Sequence, residues 1–109
     1  MAYDQDLANR IREQLAEHHV TEQEMFGGLA FLLGGHMCVG VHGDELMVRV
    51  GPDGFDAALA RPHTHPFDMR GRPMKGWMMV TPDGLRSKRQ LAPWIRQAVA
   101  LTGSLPPKR

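Results

Sequence analysis

Two closely spaced glycine turns constrain the fold of this chain more than any other feature of its sequence. The dipeptides Gly34-Gly35 and Gly43-Asp44 each separate two apolar runs within residues 25–50. Both dipeptides favour the two-residue turns that join antiparallel strands, since glycine readily adopts the positive φ angles that these turns need. Residues 25–50 are therefore predicted to form a meander of three antiparallel strands.

Two tight turns also fix which residues face each other across the meander. Counting outward from the first turn pairs Leu33 with His36, Leu32 with Met37, Phe31 with Cys38 and Ala30 with Val39. Counting from the second turn pairs Val41 with Leu46 and Val39 with Val48. Side chains alternate between the two faces of a strand. This register predicts a wholly apolar core face of Ala30, Leu32, Met37, Val39, Val41, Leu46, Val48 and Val50.

The opposite face of the predicted meander is also too apolar for open water. It collects Leu29, Phe31, Leu33, Cys38, Gly40, His42, Met47 and Arg49. An apolar surface of this kind is typical of a contact with another protein. We therefore expect a protein interface that includes Leu29, Phe31, Leu33, Met47 and Arg49, and the partner is either a different protein or a second copy in a homodimer.

Apolar residues at helical spacing predict three helices around this meander. The first helix covers residues 4–18. The second begins at Gly51, where a following proline suits a first helical turn, and it points Phe55, Ala58 and Leu59 inward. The third begins at a capping box formed by Ser87 and Gln90.

The remaining segments complete the predicted fold class. Residues 20–24 are interpreted as a connector, and residues 77–80 as a fourth strand that follows a short extended piece at 67–69. The element order is then α-β-β-β-α-β(β)-α. A chain of 109 residues is long enough for one core. We predict one α+β domain over residues 1–109, with its core at about 4–103 and an antiparallel sheet of four to five strands with three helices.

Composition restricts the cellular setting of the chain. No window approaches the roughly 18 apolar residues of a membrane span. The first ten residues are polar and acidic where a secretory signal is basic and then apolar. The one cysteine, Cys38, forms no internal disulfide and fits a reducing compartment. We therefore expect a cytoplasmic protein without membrane contact.

Charge is divided unequally between the two halves of the sequence. Residues 1–60 hold ten acidic residues and three arginines, a formal charge of −7, whereas residues 61–109 hold ten basic and two acidic residues, a charge of +8. The two halves either neutralise each other in the fold or present a basic surface to an acidic partner. The alternative function is therefore nucleic-acid binding with a steep salt dependence. Its candidate contacts are Arg70, Arg72, Lys75, Arg86, Lys88 and Arg89.

Potential metal ligands are present, but their spacing matches no recognised zinc motif. These residues are His36, Cys38, His42, His63 and His65. Structural or incidental histidines are the more common explanation of such a set. We predict no metal site and no cofactor.

Cys38 is the one residue that could act as a thiol nucleophile. A nucleophilic cysteine needs a neighbouring base, and the predicted register places Arg49 opposite it. We therefore predict no catalytic residues and a non-enzymatic protein. An enzyme or small-ligand site near Cys38 and Arg49 remains as a further alternative.

Four segments of the chain resemble the TfoX/Sxy amino-terminal domain family. They are Met25-Phe26-Gly27-Gly28, Met37-Cys38-x-Gly40-Val41, Asp44 to Val50-Gly51, and Gly71-Arg72-Pro73-Met74-Lys75-Gly76-Trp77. The likeness spans about residues 10–103, and the segment from Gly71 to Gly76 is its most specific part. It implies a single α+β domain with an antiparallel sheet.

The resemblance also implies a kind of function. In the longer family members this domain precedes a second, helical domain, and those proteins regulate natural competence together with the cyclic-AMP receptor protein. The present chain is similar to the short stand-alone members, for which the resemblance implies no catalytic residues. We therefore expect a small TfoX-like domain that acts through protein contact as a regulator of transcription or competence.

Overall fold

Three helices and six strands make up the part of the chain that the computed structural model describes, residues 3–25, 27–69 and 71–106. For Met69, Arg72 and Pro73 the backbone alone is described. In chain order the elements are α1 (Gln5–Gln14), β1 (Val20–Met25), β2 (Gly28–Leu33), β3 (His36–His42), β4 (Glu45–Arg49), α2 (Gly51–Leu59), β5 (Thr64–Met69), β6 (Arg72–Val80) and α3 (Lys88–Gly103). Phe26 of the predicted motif and Arg70 of the predicted basic surface lie outside the described residues.

The strands form one antiparallel sheet in the order β1-β2-β3-β4-β6-β5. All three helices lie on one face of this sheet, because their buried side chains join those of the strands in a single hydrophobic cluster. Helix α3 packs against β2, β3 and β4, and α2 packs against β6 and β5. The predicted α+β class and the order of helices and strands are confirmed. The described sheet has six strands where the sequence predicted four to five.

Residues 20–24, predicted as a connector, belong to an edge strand instead. Strand β1 pairs with β2 along its whole length, and its residues 21–24 are polar and exposed. Edge strands often carry charged side chains that discourage further pairing. Such a strand lacks the apolar alternation by which strands are predicted from sequence. At the other edge of the sheet, β5 begins at Thr64, three residues before the extended piece that was predicted.

A β-bulge in β3 shifts the register of the first hairpin. The two residue pairs next to the first turn are as predicted, but Phe31 faces Val39 rather than Cys38. A bulge inserts one extra residue into one strand of a pair, so that two residues oppose one. The predicted pairs of the second hairpin are confirmed.

Because of this extra residue in β3, the side chains of β2 point to the opposite faces of the sheet from those predicted. Leu29, Phe31 and Leu33 point toward the helices, where Leu29 and Phe31 are buried in the hydrophobic cluster and Leu33 packs against it. Ala30 and Leu32 point to the other side. The predicted placement of Leu29, Phe31 and Leu33 on an outer face is therefore wrong, because a shift of one residue turns every side chain of a strand over.

The first helix is shorter than the spacing of apolar residues predicts. Helix α1 spans Gln5–Gln14 rather than residues 4–18. The Asp4 carboxylate caps it by accepting hydrogen bonds from the amides of Asp6 and Leu7 at 2.9 and 3.1 Å. These bonds satisfy two of the N–H groups that a helix start leaves unpaired.

The predictions for α3 and α2 had different outcomes. The capping box of Ser87 and Gln90 is confirmed at the start of α3. Of the three residues predicted to point inward from α2, Ala58 is buried and Phe55 packs against the cluster as predicted, whereas Leu59 is 41% exposed. None of the helices in the described ranges is both long and apolar enough to cross a bilayer.

Two glycines in the motif segments allow backbones to pack closely. A Cβ atom on Gly28 would collide with the carbonyl oxygen of Val41 on the neighbouring strand. Gly76 has φ +105°, and a Cβ there would lie 3.4 Å from the backbone of Gly51 and Pro52 at the start of α2. The Val50 amide donates to the Gly76 carbonyl at 2.8 Å. Gly76 therefore lets β6 and the start of α2 come together.

Candidate functional site

The face of the sheet that points away from the helices is the broadest candidate site. We call this surface the open face, and eight residues of the central strands lie at its middle: Ala30, Leu32, Met37, Gly40, Met47, Arg49, Trp77 and Met79, with polar residues such as Gln23, His42, Glu45 and His65 around them. In the described ranges, the hydrophobic cluster that binds the helices to the sheet includes none of them. Three of the eight are methionines, whose flexible side chains are common at adaptable protein surfaces.

Apolar residues form a row across the middle of the open face. Ala30 pairs with Gly40, Gly40 with Met47, and Met47 with Met79. The side chains of Met47 and Met79 are only 6% and 4% exposed. The terminal methyl group of Met37 lies beside Gly40, 3.1 Å from the position a Cβ would take. Neighbouring side chains of the sheet therefore shield this row, and the result is a shallow apolar surface.

Arg49 lies across the open face beside this row. Its Nη1 donates a hydrogen bond to the Met37 carbonyl on β3 at 3.2 Å. Its guanidinium carbon lies 5.3 Å from the centre of the Trp77 ring on β6, within the range of a cation–π contact. Both contacts involve the guanidinium group, and they hold its positive charge in place on an apolar surface.

A carboxylate lies at the opposite end of the same strand. Glu45 is on the same side of β4 as Met47 and Arg49, because side chains alternate along a strand. The Nε2 atom of His65 contacts its Oε1 at 2.5 Å. Strand β4 therefore presents a negative, an apolar and a positive side chain in one line.

Cys38 and Arg49, predicted as neighbours, lie on opposite sides of the sheet. Cys38 is buried in the cluster beneath the helices, whereas Arg49 is on the open face. Burial raises the pKa of the Cys38 thiol. Because the thiolate is the reactive form of cysteine, a raised pKa weakens this residue as a nucleophile.

The predicted metal ligands are separated in the structure. The Nε2 atom of His36 lies 2.6 Å from the carbonyl oxygen of Pro106, His65 contacts Glu45, and Cys38 is buried. Among the residues that the structure describes, no three histidine, cysteine or carboxylate side chains are arranged to hold a metal ion. These residues therefore have separate surroundings rather than a common site.

The predicted basic surface divides into two groups. Lys75 is exposed near the β5–β6 hairpin, where the backbone of Arg72 begins β6. Arg86, Lys88 and Arg89 are exposed around the start of α3, beyond the other end of β6. The nine residues of β6 separate the two ends by about 26 Å at the usual rise of a strand. Arg86 also pairs with Asp83 at 2.6 Å.

The open face contains residues that sequence reasoning assigned to the core or left without a face. Leu32 and Met37 were predicted in the core, and the register places both on the open face. Trp77 and Met79 join them because β6 lies next to β4. Of the five predicted interface residues, Met47 and Arg49 lie on the open face.

One family of known proteins matches most of the chain. The family model described as the TfoX N-terminal domain matches residues 13–101. The match extends from the last two residues of α1 nearly to the end of α3 and includes the whole sheet. No curated protein matches the chain.

Proposed function

The chain belongs to the TfoX N-terminal domain family, and we propose that it acts as a non-enzymatic regulatory domain that forms a homodimer through the open face of its sheet. The observation that carries this proposal is the apolar row of the open face, against which no helix of the described chain packs. Beside that row, Leu32, Met37 and Trp77 are partly exposed, and apolar side chains grouped at a surface are typical of an interface. A second copy of the chain supplies an apolar surface of the same shape to cover it.

The charges on β4 favour a second copy as the partner. A twofold axis in the interface plane, perpendicular to β4 at Met47, brings the Met47 side chains of both copies together. The same rotation reverses the strand, so Arg49 of one copy faces Glu45 of the other. The line of negative, apolar and positive side chains on β4 is therefore self-complementary, and two facing sheets pack at about 10 Å.

The role of this dimer follows from the family. The TfoX family is associated with natural competence, and we infer that the dimer acts in the regulation of transcription. Lys75 on β6 is separate from Arg86, Lys88 and Arg89 around the start of α3, and this separation favours protein contact over nucleic-acid binding, since nucleic-acid sites typically cluster their basic residues on one surface.

Exchanging the two charges on β4 tests the dimer and its geometry together. We expect the wild-type protein to sediment as a dimer. Glu45→Arg and Arg49→Glu should each weaken dimerisation by about tenfold or more, because each places like charges opposite each other. The double variant, with both charges exchanged, should recover the wild-type dissociation constant. Analytical ultracentrifugation over a range of protein concentrations measures all three.

The control is Leu59→Glu, which adds a charge at an exposed apolar residue on the helix side. It should leave the dissociation constant unchanged, and circular dichroism should show that every variant is folded. A wild-type protein that is monomeric at all concentrations contradicts the homodimer. Two folded single variants whose double variant does not recover contradict the twofold arrangement.

A further inference from the structure

A solvent-open cavity of about 220 Å³ lies on the helix side of the molecule, away from the open face. The α2–β5 loop, the turn after β6 and the first turns of α3 enclose it. Its lining residues are Arg61, Pro62, His63, Gly84, Arg89, Gln90 and Trp94. No carboxylate is among them. This cavity is separate from the surface that we propose for dimerisation.

Arg61 is held in place on one wall of the cavity. Its guanidinium carbon lies 3.6 Å from the centre of the Trp94 ring, and Trp94 is buried. The hydroxyl of Thr64 donates to the Arg61 carbonyl at 2.8 Å, which fixes the backbone. Partial burial lowers the pKa of the Arg61 guanidinium, although an arginine remains charged at neutral pH. A stacked guanidinium still has its donor edge free for a ligand.

The two arginines of the cavity have no carboxylate partner in the described ranges. The ion pairs found there are Arg12 with Glu22, His65 with Glu45 and Arg86 with Asp83. Asp83, the carboxylate closest in sequence to the cavity turn, is thus paired with Arg86 rather than with Arg61 or Arg89. The cavity therefore concentrates positive charge without internal neutralisation.

His63 adopts a backbone conformation that suits a preformed site. It has φ +66°, a left-handed value that costs energy for a residue with a side chain. Its carbonyl accepts hydrogen bonds from the amide and the hydroxyl of Thr81 at 2.9 and 3.3 Å. A Cβ on Gly84 would lie only 3.0 Å from that of His63. The loop is thus fixed with His63 against the cavity wall.

The amides of Arg86, Ser87 and Gln90 around the start of α3 are already engaged. The Gln90 amide donates to the Ser87 hydroxyl, and the Gln90 side chain accepts from the Arg86 and Ser87 amides. The Gln90 Nε2 donates to the Asp83 carbonyl at 3.3 Å. The charged donors that line the cavity are the side chains of Arg61 and Arg89, which come from separate elements and would hold a ligand there.

We propose that this cavity binds the phosphate group of a small phosphate monoester. Arginine pairs recognise phosphate through two parallel hydrogen bonds, and the ligand supplies the negative charge that the lining lacks. The cavity has a volume of about 220 Å³ and is open to solvent. It admits one phosphate with a small attached group, whereas a nucleic acid needs contacts to several phosphates along an exposed surface.

Titration calorimetry with ribose 5-phosphate, inorganic phosphate and ribose tests this site on the full chain. Ribose 5-phosphate should bind and ribose should not. If inorganic phosphate binds as tightly as ribose 5-phosphate, the site is supported and the phosphate group alone is what it recognises. Weaker binding of inorganic phosphate would show that the cavity also contacts the sugar.

Variants locate the binding within the cavity. Arg61→Gln and Arg89→Gln should each weaken ribose 5-phosphate binding by about tenfold or more, the loss expected for a charge-assisted hydrogen bond. Arg96→Gln, on the exposed side of the same helix, should leave the affinity unchanged. If Arg61→Gln fails to fold, Arg89→Gln decides, because Arg89 is exposed and lies in the first turn of α3.

Three results would overturn the proposal. The first is no binding of either phosphate, and the second is unchanged affinity in both arginine variants. The third is salt-dependent binding of a single-stranded oligonucleotide without binding of either small phosphate, since that assigns these arginines to a nucleic-acid surface. None of these results bears on the dimer, because the cavity and the open face lie on opposite sides of the sheet.

Discussion

Two neighbouring rows of residues cross the sheet, and they differ in what shields them more than in how apolar they are. Phe31, Val39, Val48 and Met78 pair across four strands, and all four are fully buried beneath the helices. The adjacent row of Ala30, Gly40, Met47 and Met79 lies on the open face. Other side chains of the sheet shield that row. Low exposure alone therefore does not distinguish a residue beneath the helices from a residue on the face that carries no helix in the described ranges.

Substituting two adjacent residues that point to opposite faces tests this difference most strongly. Phe31→Ala should lower the free energy of unfolding by about 3–5 kcal/mol, because it leaves a cavity beneath the helices. Leu32→Ala on the open face should cost about 1 kcal/mol, since Leu32 is partly exposed and its neighbours can readjust. Urea denaturation at one protein concentration measures both values.

The more conservative Phe31→Leu serves if Phe31→Ala does not fold. It should still destabilise the protein more than Leu32→Ala does, since it also removes volume from a closed core. A larger loss at Leu32 than at Phe31 would contradict the observed faces of β2 and support the register counted from the turn alone.

The expected change in stability is intermediate for Cys38. The bulge places Cys38 on the helix side, next to Met37 on the open face. Burial raises the pKa of its thiol in the folded protein. Below about pH 8.5 the thiol is protonated in both states. At higher pH the unfolded chain loses this proton while the folded chain keeps it, so stability falls by at most about 1.4 kcal/mol per pH unit.

Comparison with Cys38→Ala isolates this effect from other groups that titrate at high pH. The wild-type protein should lose stability more steeply than the variant between about pH 8.5 and 10. The measurement is urea denaturation at a series of pH values. Parallel pH profiles of the two proteins would show that the thiol is not protected beneath the helices.

The smallest expected change in the free energy of unfolding is for a residue of the edge strand β1. In this strand Glu22 points to the helix side and Gln23 points to the open side. Two hydrogen bonds of 2.7 and 2.8 Å join Glu22 to Arg12 of α1. The hydrogen bond with Arg12 lowers the pKa of Glu22. Because both side chains are more than one-third exposed, Glu22→Gln should cost less than about 1 kcal/mol at neutral pH.

The pH dependence of that loss identifies its cause. A lowered pKa in the folded state gives stability that is present above the unfolded value of about 4.3 and disappears as the pH falls through the folded value. Thermal unfolding of Glu22→Gln and of the wild type should therefore converge in acid. Gln23→Ala is the control and should not alter the difference between neutral and acidic pH.

The parts of the fold that could be predicted were those governed by local chemistry. The glycine turns indicated the meander, and Ser87 with Gln90 correctly indicated the start of α3. Strand β1 was missed because an exposed edge strand has little apolar pattern. The bulge at Cys38 was missed because a bulge needs no particular residue type, and this one error exchanged the faces of β2.

The candidate sites depended on contacts between distant parts of the chain. Met47 and Arg49 were placed on the correct face because they follow the second turn, whose register holds. The cavity was not predicted, because Arg61 and Trp94 are far apart in sequence and meet through the packing of α3. No spacing rule connects such residues before the fold is known.

The two outer strands of the sheet limit how this protein can polymerise. At one border, β5 contains Pro66, which has no amide hydrogen to donate to an added strand. At the other border, β1 exposes Glu22 and Glu24, which repel an identical border on another molecule. Strand addition, the route to fibrils, is therefore blocked at both sides. The face-to-face pairing that we propose would use up the open face of each molecule, so that such an assembly would be complete at two copies.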